Sequence, residues 1–458
     1  MPPLTEAASP GATLADAASY EITSDEANSS NNKGFDEDMN SFPQLARVSD
    51  SMVIESGRGS LLWDTDGNEY IDFASGVLVL AAGHSEPRIA EAISKQASQL
   101  MNCYAHDTAQ RTALAEKLLA TTDGDFDQAF FMSTGSEGIE AALKIARAVT
   151  GRAGVIGFSG AFHGKTASAV TINGDPGVRK SFGSTIAGPV IRALFPYPYR
   201  WEFEGDVDEA ALNFLEAQIA MEGAEQIGAI LLEPFLGAGG VIPASPAFLK
   251  GIRAIADRHG MVMILDEIQS GLGRGGNLWS YQAAGAVPDI LLGAKHLGGG
   301  MPIVGLISRA EIYDQIPAGS LTSTFGGNPL SAAASLASLD IIESDGLVEQ
   351  CRASATIVRA RFDEWESAFA IVGEGRNAGL SCGIELVEPG TKTPASGLAR
   401  RAKSIAARHG LLAMPAAGAH GNILRFGPAL NIPSELLLQG LDRLGSVLEE
   451  LSAAQPAA

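Results

Sequence analysis

Basic charge is scarce in this sequence. Lys and Arg number 32 against 53 Asp and Glu, a formal net charge of −21 over 458 residues. That balance argues against nucleic acid or an anionic membrane as a partner, since both recruit Lys and Arg. Cysteine is scarcer still: Cys103, Cys351 and Cys382 are odd in number and scattered. They exclude a disulfide framework and read as reduced core thiols in a cytoplasmic protein, and no Cys/His cluster has the spacing of a metal site. No apolar stretch approaches the roughly 20 residues that a membrane helix needs. The start, Met1-Pro2-Pro3-Leu4-Thr5-Glu6, lacks the basic and apolar regions of a secretory signal.

Apolar residues, at 46%, are abundant, and a chain of this length can bury a large core shared by two domains. Strand-length apolar runs at 129–132, 154–158, 229–232, 261–265, 290–292 and 303–307 alternate with helical patterns such as 139–149 and 247–258. The alternation predicts an α/β fold, a mostly parallel sheet between helices. Past Pro329 the texture changes. Long helices are expected over 330–342 and 348–368, a strand over 379–387 and a closing helix over 434–451, together a smaller α+β domain. The expected division is an acidic, flexible extension over 1–41, an N-terminal part of the small domain over 42–87, a large cofactor-binding domain over 88–328 and the C-terminal small domain over 329–458.

Three motifs carry chemistry. In Ile290-Leu291-Leu292-Gly293-Ala294-Lys295-His296-Leu297-Gly298-Gly299-Gly300, one lysine ends an apolar run just before three glycines. Packed walls there lower an amine's pKa and suit it to a Schiff base with an aldehyde cofactor. Upstream by 29 positions, Met261-Val262-Met263-Ile264-Leu265-Asp266 reads as a buried strand ending in a carboxylate, where open α/β sheets bind ligands. Asp266 could hold the proton of a pyridinium nitrogen, and Gln269 could donate to a phenolic oxygen of the same ring. The third motif, Phe130-Phe131-Met132-Ser133-Thr134-Gly135-Ser136-Glu137, describes a strand feeding a helix N-terminus, whose free N–H groups favour a phosphate dianion. Gly135 and Ser136 are the expected contacts.

With these motifs the chain resembles the class III pyridoxal-phosphate aminotransferases of fold type I. That group holds 4-aminobutyrate, ornithine and acetylornithine aminotransferases, a dialkylglycine decarboxylase and some racemases. The resemblance runs from about Met52 to Leu451. It includes Gly59 to Phe73, Gly83-His84, Phe162-His163-Gly164-Lys165-Thr166, Glu233-Pro234 and Ser323-Thr324-Phe325-Gly326-Gly327-Asn328-Pro329. It implies pyridoxal 5'-phosphate bound to Lys295, which then shuttles the substrate proton. It implies Asp266 on the ring nitrogen, Gln269 on the phenolic oxygen, Phe162 stacked on the ring with His163 beside it, Gly135 and Ser136 on the phosphate, and Glu233 nearby. Thr324 is expected to reach a neighbouring subunit's phosphate, which implies a homodimer with shared active sites, and dimers pairing into a tetramer are left open.

Substrate positions depart from the commonest family pattern. Arg425 matches the arginine that clamps a carboxylate through a bidentate fork. Many relatives carry a glutamate that masks this arginine, whereas here the block is Gly237-Ala238-Gly239-Gly240. Ala238 cannot mask, so Arg425 should favour a substrate that always presents a carboxylate. Lys165 stands where an arginine is usual and either anchors a distal carboxylate less directionally or points to solvent. Val77 is expected to give the pocket an apolar wall. The resemblance implies ping-pong transfer of an amino group from an amino acid, ω-amino acid or amine to a 2-oxo acid such as 2-oxoglutarate or pyruvate. The alternatives are a racemase, a dialkylglycine-type decarboxylase and, more distantly, a non-catalytic binding protein.

Overall fold

Hydrophobic texture becomes architecture through strands that differ in how many faces they bury. The computed structural model describes residues 52–104, 106–180 and 189–453; the predicted acidic extension over 1–41 lies outside them. The strands in chain order are β1 (Ile54–Arg58), β2 (Leu61–Asp64), β3 (Glu69–Asp72), β4 (Gln128–Met132), β5 (Gly154–Phe158), β6 (Val190–Ala193), β7 (Ile227–Leu232) and β8 (Phe235–Leu236). They continue with β9 (Ile242–Pro243), β10 (Val262–Asp266), β11 (Ile290–Gly293), β12 (Val304–Ser308), β13 (Val372–Ala378), β14 (Ser381–Leu386), β15 (Leu411–Leu412) and β16 (Ile423–Phe426).

Seven of them form one sheet in the order β4-β12-β11-β10-β7-β5-β6. Neighbours from β11 through β6 run parallel, and β12 runs antiparallel to both β11 and β4. Every residue of β5, β7, β10, β11 and β12 is buried, which is why they read as unbroken apolar runs. Helix Gly135–Thr150 covers one face, packing Ile139, Leu143 and Ile145 with Ile264, Leu292 and Val304. On the other, Phe248 and Ile252 of helix Pro246–His259 join the core of Phe158, Ile230 and Met263. Each such side chain contributes about 1.5–3 kcal/mol by leaving water. Local chemistry sets this second helix's limits. Ser245 accepts from Phe248 N–H at its start, with proline in the first turn, and Gly260 ends it in the left-handed region at φ 60.

Besides the β8-β9 pair, two further sheets flank the first in sequence among the described residues. β1, β2 and β3 are joined by β15, with Leu411 opposite Ile71, and β13-β14-β16 places Arg425 opposite Gly383. Residues from Ile54 onward cluster as one unit. The strand expected over 379–387 is β14, and a strand not foreseen, β13, precedes it and turns back into it at Gly379. Cys351 and Cys382 are buried, but Cys103 is only half-buried. It is not a core thiol because it lies in the loop between helices Pro87–Ala97 and Ala109–Ala120, with Sγ 3.4 Å from the His106 carbonyl. Among the described residues no helix is long and apolar enough to cross a membrane.

Candidate active site

Parallel strands end together, so their following loops meet at one edge of the sheet. Asp266, the last residue of β10, is 5% exposed. Its Oδ2 lies 2.7 Å from His163 Nδ1, and its Oδ1 accepts Ile268 N–H at 3.1 Å. His163 belongs to the loop after β5, which Asn173 staples: Asn173 Oδ1 accepts His163 N–H at 2.7 Å and Asn173 Nδ2 donates to Gly164 O at 2.8 Å. Glu233, just past β7, accepts Phe162 N–H on one oxygen and Gly237 N–H on the other, both at 2.9 Å. One carboxylate thus fixes both the backbone of Phe162 and the turn that carries Ala238. Burial pushes Glu233 up to about 7, Asp266 adds to the rise, and His163 and the two N–H groups oppose it.

Lys295 follows β11 and opens the short turn Lys295–Gly298 with φ 41, a left-handed backbone for a side-chain-bearing residue. That conformation costs on the order of 1–3 kcal/mol and persists only where neighbours hold it. Here Ser338 Oγ donates to the His296 carbonyl at 2.6 Å. Burial brings the Lys295 amine down to about 8; Asp266 and Glu233 oppose the fall, and Arg425 and Arg274 add to it. Arg425 reaches the same ground from β16. Its Nε is buried without a partner, and burial lowers its pKa while Glu233 opposes the change.

At the start of helix Gly135–Thr150, Thr134 Oγ1 accepts Glu137 N–H and the Glu137 carboxylate accepts Thr134 N–H, a reciprocal cap. First-turn N–H groups have no intrahelical acceptor, so Gly135 and Ser136 can offer theirs to an anion. Backbone approaches closely on either side. A Cβ on Gly164, at φ 121, would fall 2.0 Å from Ser136 Oγ, and one on Gly237 would fall 1.9 Å from Gln269 Oε1. That Gln269 oxygen is buried and unpartnered.

The class III aminotransferase family model matches residues 45–448. The chain belongs to that family. It is similar to a 5-aminovalerate aminotransferase of Pseudomonas aeruginosa, 36% identical over 88% of this chain and 94% of the relative. It is equally similar to a 2-aminoadipate transaminase of Pseudomonas putida, 36% identical over 90% and 99%. Among solved structures it resembles an amine transaminase from an uncultivated Pseudomonas species in its PLP-bound form, with TM-score 0.84, 26% identity and 92% and 99% of the two chains covered. This class III aminotransferase is an enzyme that uses pyridoxal phosphate for amino-group transfer. The two close glycines, the amine near 8 and the capped helix start suit that group's ring, aldehyde and phosphate.

Not every candidate joins the cluster. Lys165 and Thr324 are exposed; Lys165 N–H faces Ser136 Oγ at 3.4 Å, and the Thr324 carbonyl accepts from Asn102 at 3.0 Å. Val77 is 47% exposed, one residue before Leu78, whose side chain lies against Gly427. Asn173 was not foreseen; its position at the end of the short helix Ala167–Ile172 looks like an ordinary helix stop until the fold brings His163 to it. Arg274 and His296, both buried beside the lysine turn, were also missed as partners.

Proposed function

We propose that this aminotransferase docks a carboxylate on Arg425 in both half-reactions and prefers donors with a carboxylate on the carbon that bears the amino group. The observation that carries this is the Arg425 guanidinium. It is half-buried, its Nε is unpartnered, and it is close enough to Lys295 to add to the fall in that amine's pKa. Ala238, on the turn held by Glu233, supplies no carboxylate to neutralise it, and its carbonyl is taken by Gly418 N–H at 3.0 Å. Desolvating an arginine without a partner is costly, so a substrate that brings a carboxylate binds better than one that leaves the cation bare. The relatives named above span both donor kinds, 5-aminovalerate and 2-aminoadipate.

Bound pyridoxal phosphate supplies an electron sink that weakens the bonds at the substrate's amino-bearing carbon. The chain's own residues do the rest. Lys295 would hold the cofactor's aldehyde, and its freed amine would take the proton from the substrate's amino-bearing carbon and deliver it to the former aldehyde carbon. Asp266, oriented by His163, would hold the ring nitrogen, Gln269 the phenolic oxygen, Phe162 the ring face, and Gly135 and Ser136 the phosphate. Glu233 keeps Phe162 and the 237–240 turn in place. Lys165 and Val77 are proposed to line the distal end of the substrate channel. A homodimer is proposed with Thr324 completing the neighbour's phosphate site. Leu100, Met101, Tyr104 and Phe325, each 41–63% exposed, give the Thr324 surface an apolar face that supports this reading. We propose too that residues 42–87 and 329–458 form the smaller domain, supported by the pairing of β3 with β15, and that the unpaired thiols belong to a cytoplasmic protein.

The test is single turnover of the holoenzyme, following its visible absorbance without an acceptor. Amino acids such as 2-aminoadipate, alanine and glutamate should convert the cofactor to its amine form faster than 4-aminobutyrate, 5-aminovalerate or a simple amine. The reverse order would refute the role given to Arg425. Solvent deuterium entering the α position without net conversion would point to racemisation.

A further inference from the structure

We infer that Arg274 is a positioning residue that sets the span between Lys295 and Arg425, and so decides how well one substrate can meet both. The inference rests on the Arg425 reading above. Arg274 is 0% exposed, and all its hydrogen bonds go to uncharged acceptors. Nη1 donates to Pro428 O at 2.6 Å and to Leu380 O at 3.1 Å, while Nε and Nη2 lie 3.3 and 3.1 Å from His296 Nε2.

Those four contacts define a bridge. A guanidinium has donors only, so His296 Nε2 must accept and the ring hydrogen sits on Nδ1, which faces Leu272 O at 3.1 Å. The imidazole is thereby held neutral, in one tautomer and one orientation, directly after the left-handed Lys295. On its far side Arg274 grips Pro428, three residues beyond Arg425. The adjoining Gly427 is held as well, its N–H donating to Phe73 O at 2.7 Å and its carbonyl accepting from Ser75 Oγ at 2.8 Å. Gly427 also has no room for a side chain, since a Cβ there would fall 2.2 Å from Leu78 and 3.3 Å from Arg274 Nη1.

Burying a charge among neutral groups is unfavourable, and burial takes the Arg274 pKa down to about 10. An apolar side chain of similar length would fill the space without that cost. Only a planar fork can bond a ring nitrogen on one side and two carbonyls on the other, so the guanidinium serves by linking the lysine turn to the arginine strand. A substrate attached near Lys295 with its carboxylate on Arg425 feels any change in that link as lost carboxylate binding.

The experiment compares holoenzymes of the parent, Arg274→Met, Arg274→Lys and Arg425→Leu with 2-oxoglutarate and with propanal, an acceptor that lacks a carboxylate. Arg274→Met and Arg274→Lys should both raise KM for 2-oxoglutarate by roughly tenfold or more, as expected when a charge-assisted bond is lost. Their kcat/KM with propanal should fall by a clearly smaller factor than with 2-oxoglutarate, since propanal presents nothing to Arg425. A second readout needs no turnover: the pH at which Lys295 of the cofactor-free chain becomes reactive. Asp266, Glu233, Arg425 and Arg274 are the charges that act on it, so removing one cation in Arg274→Met should raise that pH and Arg274→Lys should leave it in place. Equal losses on both acceptors, or an unchanged KM for 2-oxoglutarate in Arg274→Lys, overturn the inference. Arg425→Leu separates the two layers: if it fails to raise KM for 2-oxoglutarate the underlying reading is wrong, and if it alone does so only Arg274 is misassigned.

Discussion

Lys295 and Glu233 are pushed out of their usual ranges by the same burial, in opposite directions. Lys295 comes down to about 8, so in the cofactor-free chain it should react with a small amine-directed reagent with a midpoint near that pH, while surface lysines follow near 10.5. Peptide mapping across a pH series would read this directly. Glu233 rises to about 7 from 4.5, so between those values the folded chain holds a proton that the unfolded chain has released. Stability is therefore lost as pH rises through that window. Glu233→Gln should remove this slope, improving in melting temperature relative to the parent from pH 4.5 to 7. The same change deletes a negative charge near Lys295 and should move its midpoint below 8. Lys295, Asp266 and the Gly135-Ser136 turn were legible because each sits where an apolar run stops. Arg274 was not, because a charge in Gly271-Leu272-Gly273-Arg274-Gly275-Gly276 looks like a surface turn, and only the fold packs Leu380 and Pro428 over it.

Among the elements, the central strands and the edge strand β4 announced themselves, while β6 and β15 did not. β7, β10, β11 and β12 are buried on both faces and carry polar residues, Asp266 and Ser308, only at their last positions, where they do not blur the run. The edge strand β6 alternates, with Arg192 interrupting it, and β15 is two residues long, too short for any period. The helix beginning at Gly135 was expected, and its reciprocal cap lends a test. Thr134→Ala should cost about 1 kcal/mol of stability in a denaturant titration and weaken pyridoxal phosphate binding, since the N–H groups beside it lose their fixed direction. Gly237→Ala should be more damaging, because its methyl would collide with Gln269 Oε1. We expect cofactor affinity to fall by at least about tenfold, measured by equilibrium binding to the cofactor-free chain, with little change in far-ultraviolet circular dichroism.

For the whole molecule, the α/β class followed from alternation, but strand order did not, since order depends on which distant segments pair. The proposed dimer makes a prediction at this scale. Light scattering should give twice the chain mass, and a charged substitution at Phe325, 63% exposed, should shift it toward monomer and weaken cofactor retention together. The placement of β12 also has a kinetic consequence. Among the described residues β4, carrying Phe130 and Phe131, hydrogen-bonds in the sheet only to β12, whose residues come about 170 positions later in the chain. A ribosome adding 5–20 residues per second needs on the order of 10–30 s to cover that distance. Through that interval the emerging chain carries an apolar strand with no partner, so nascent chains stopped before Val304 should recruit holdase chaperones, and chains stopped well past Ser308 should release them.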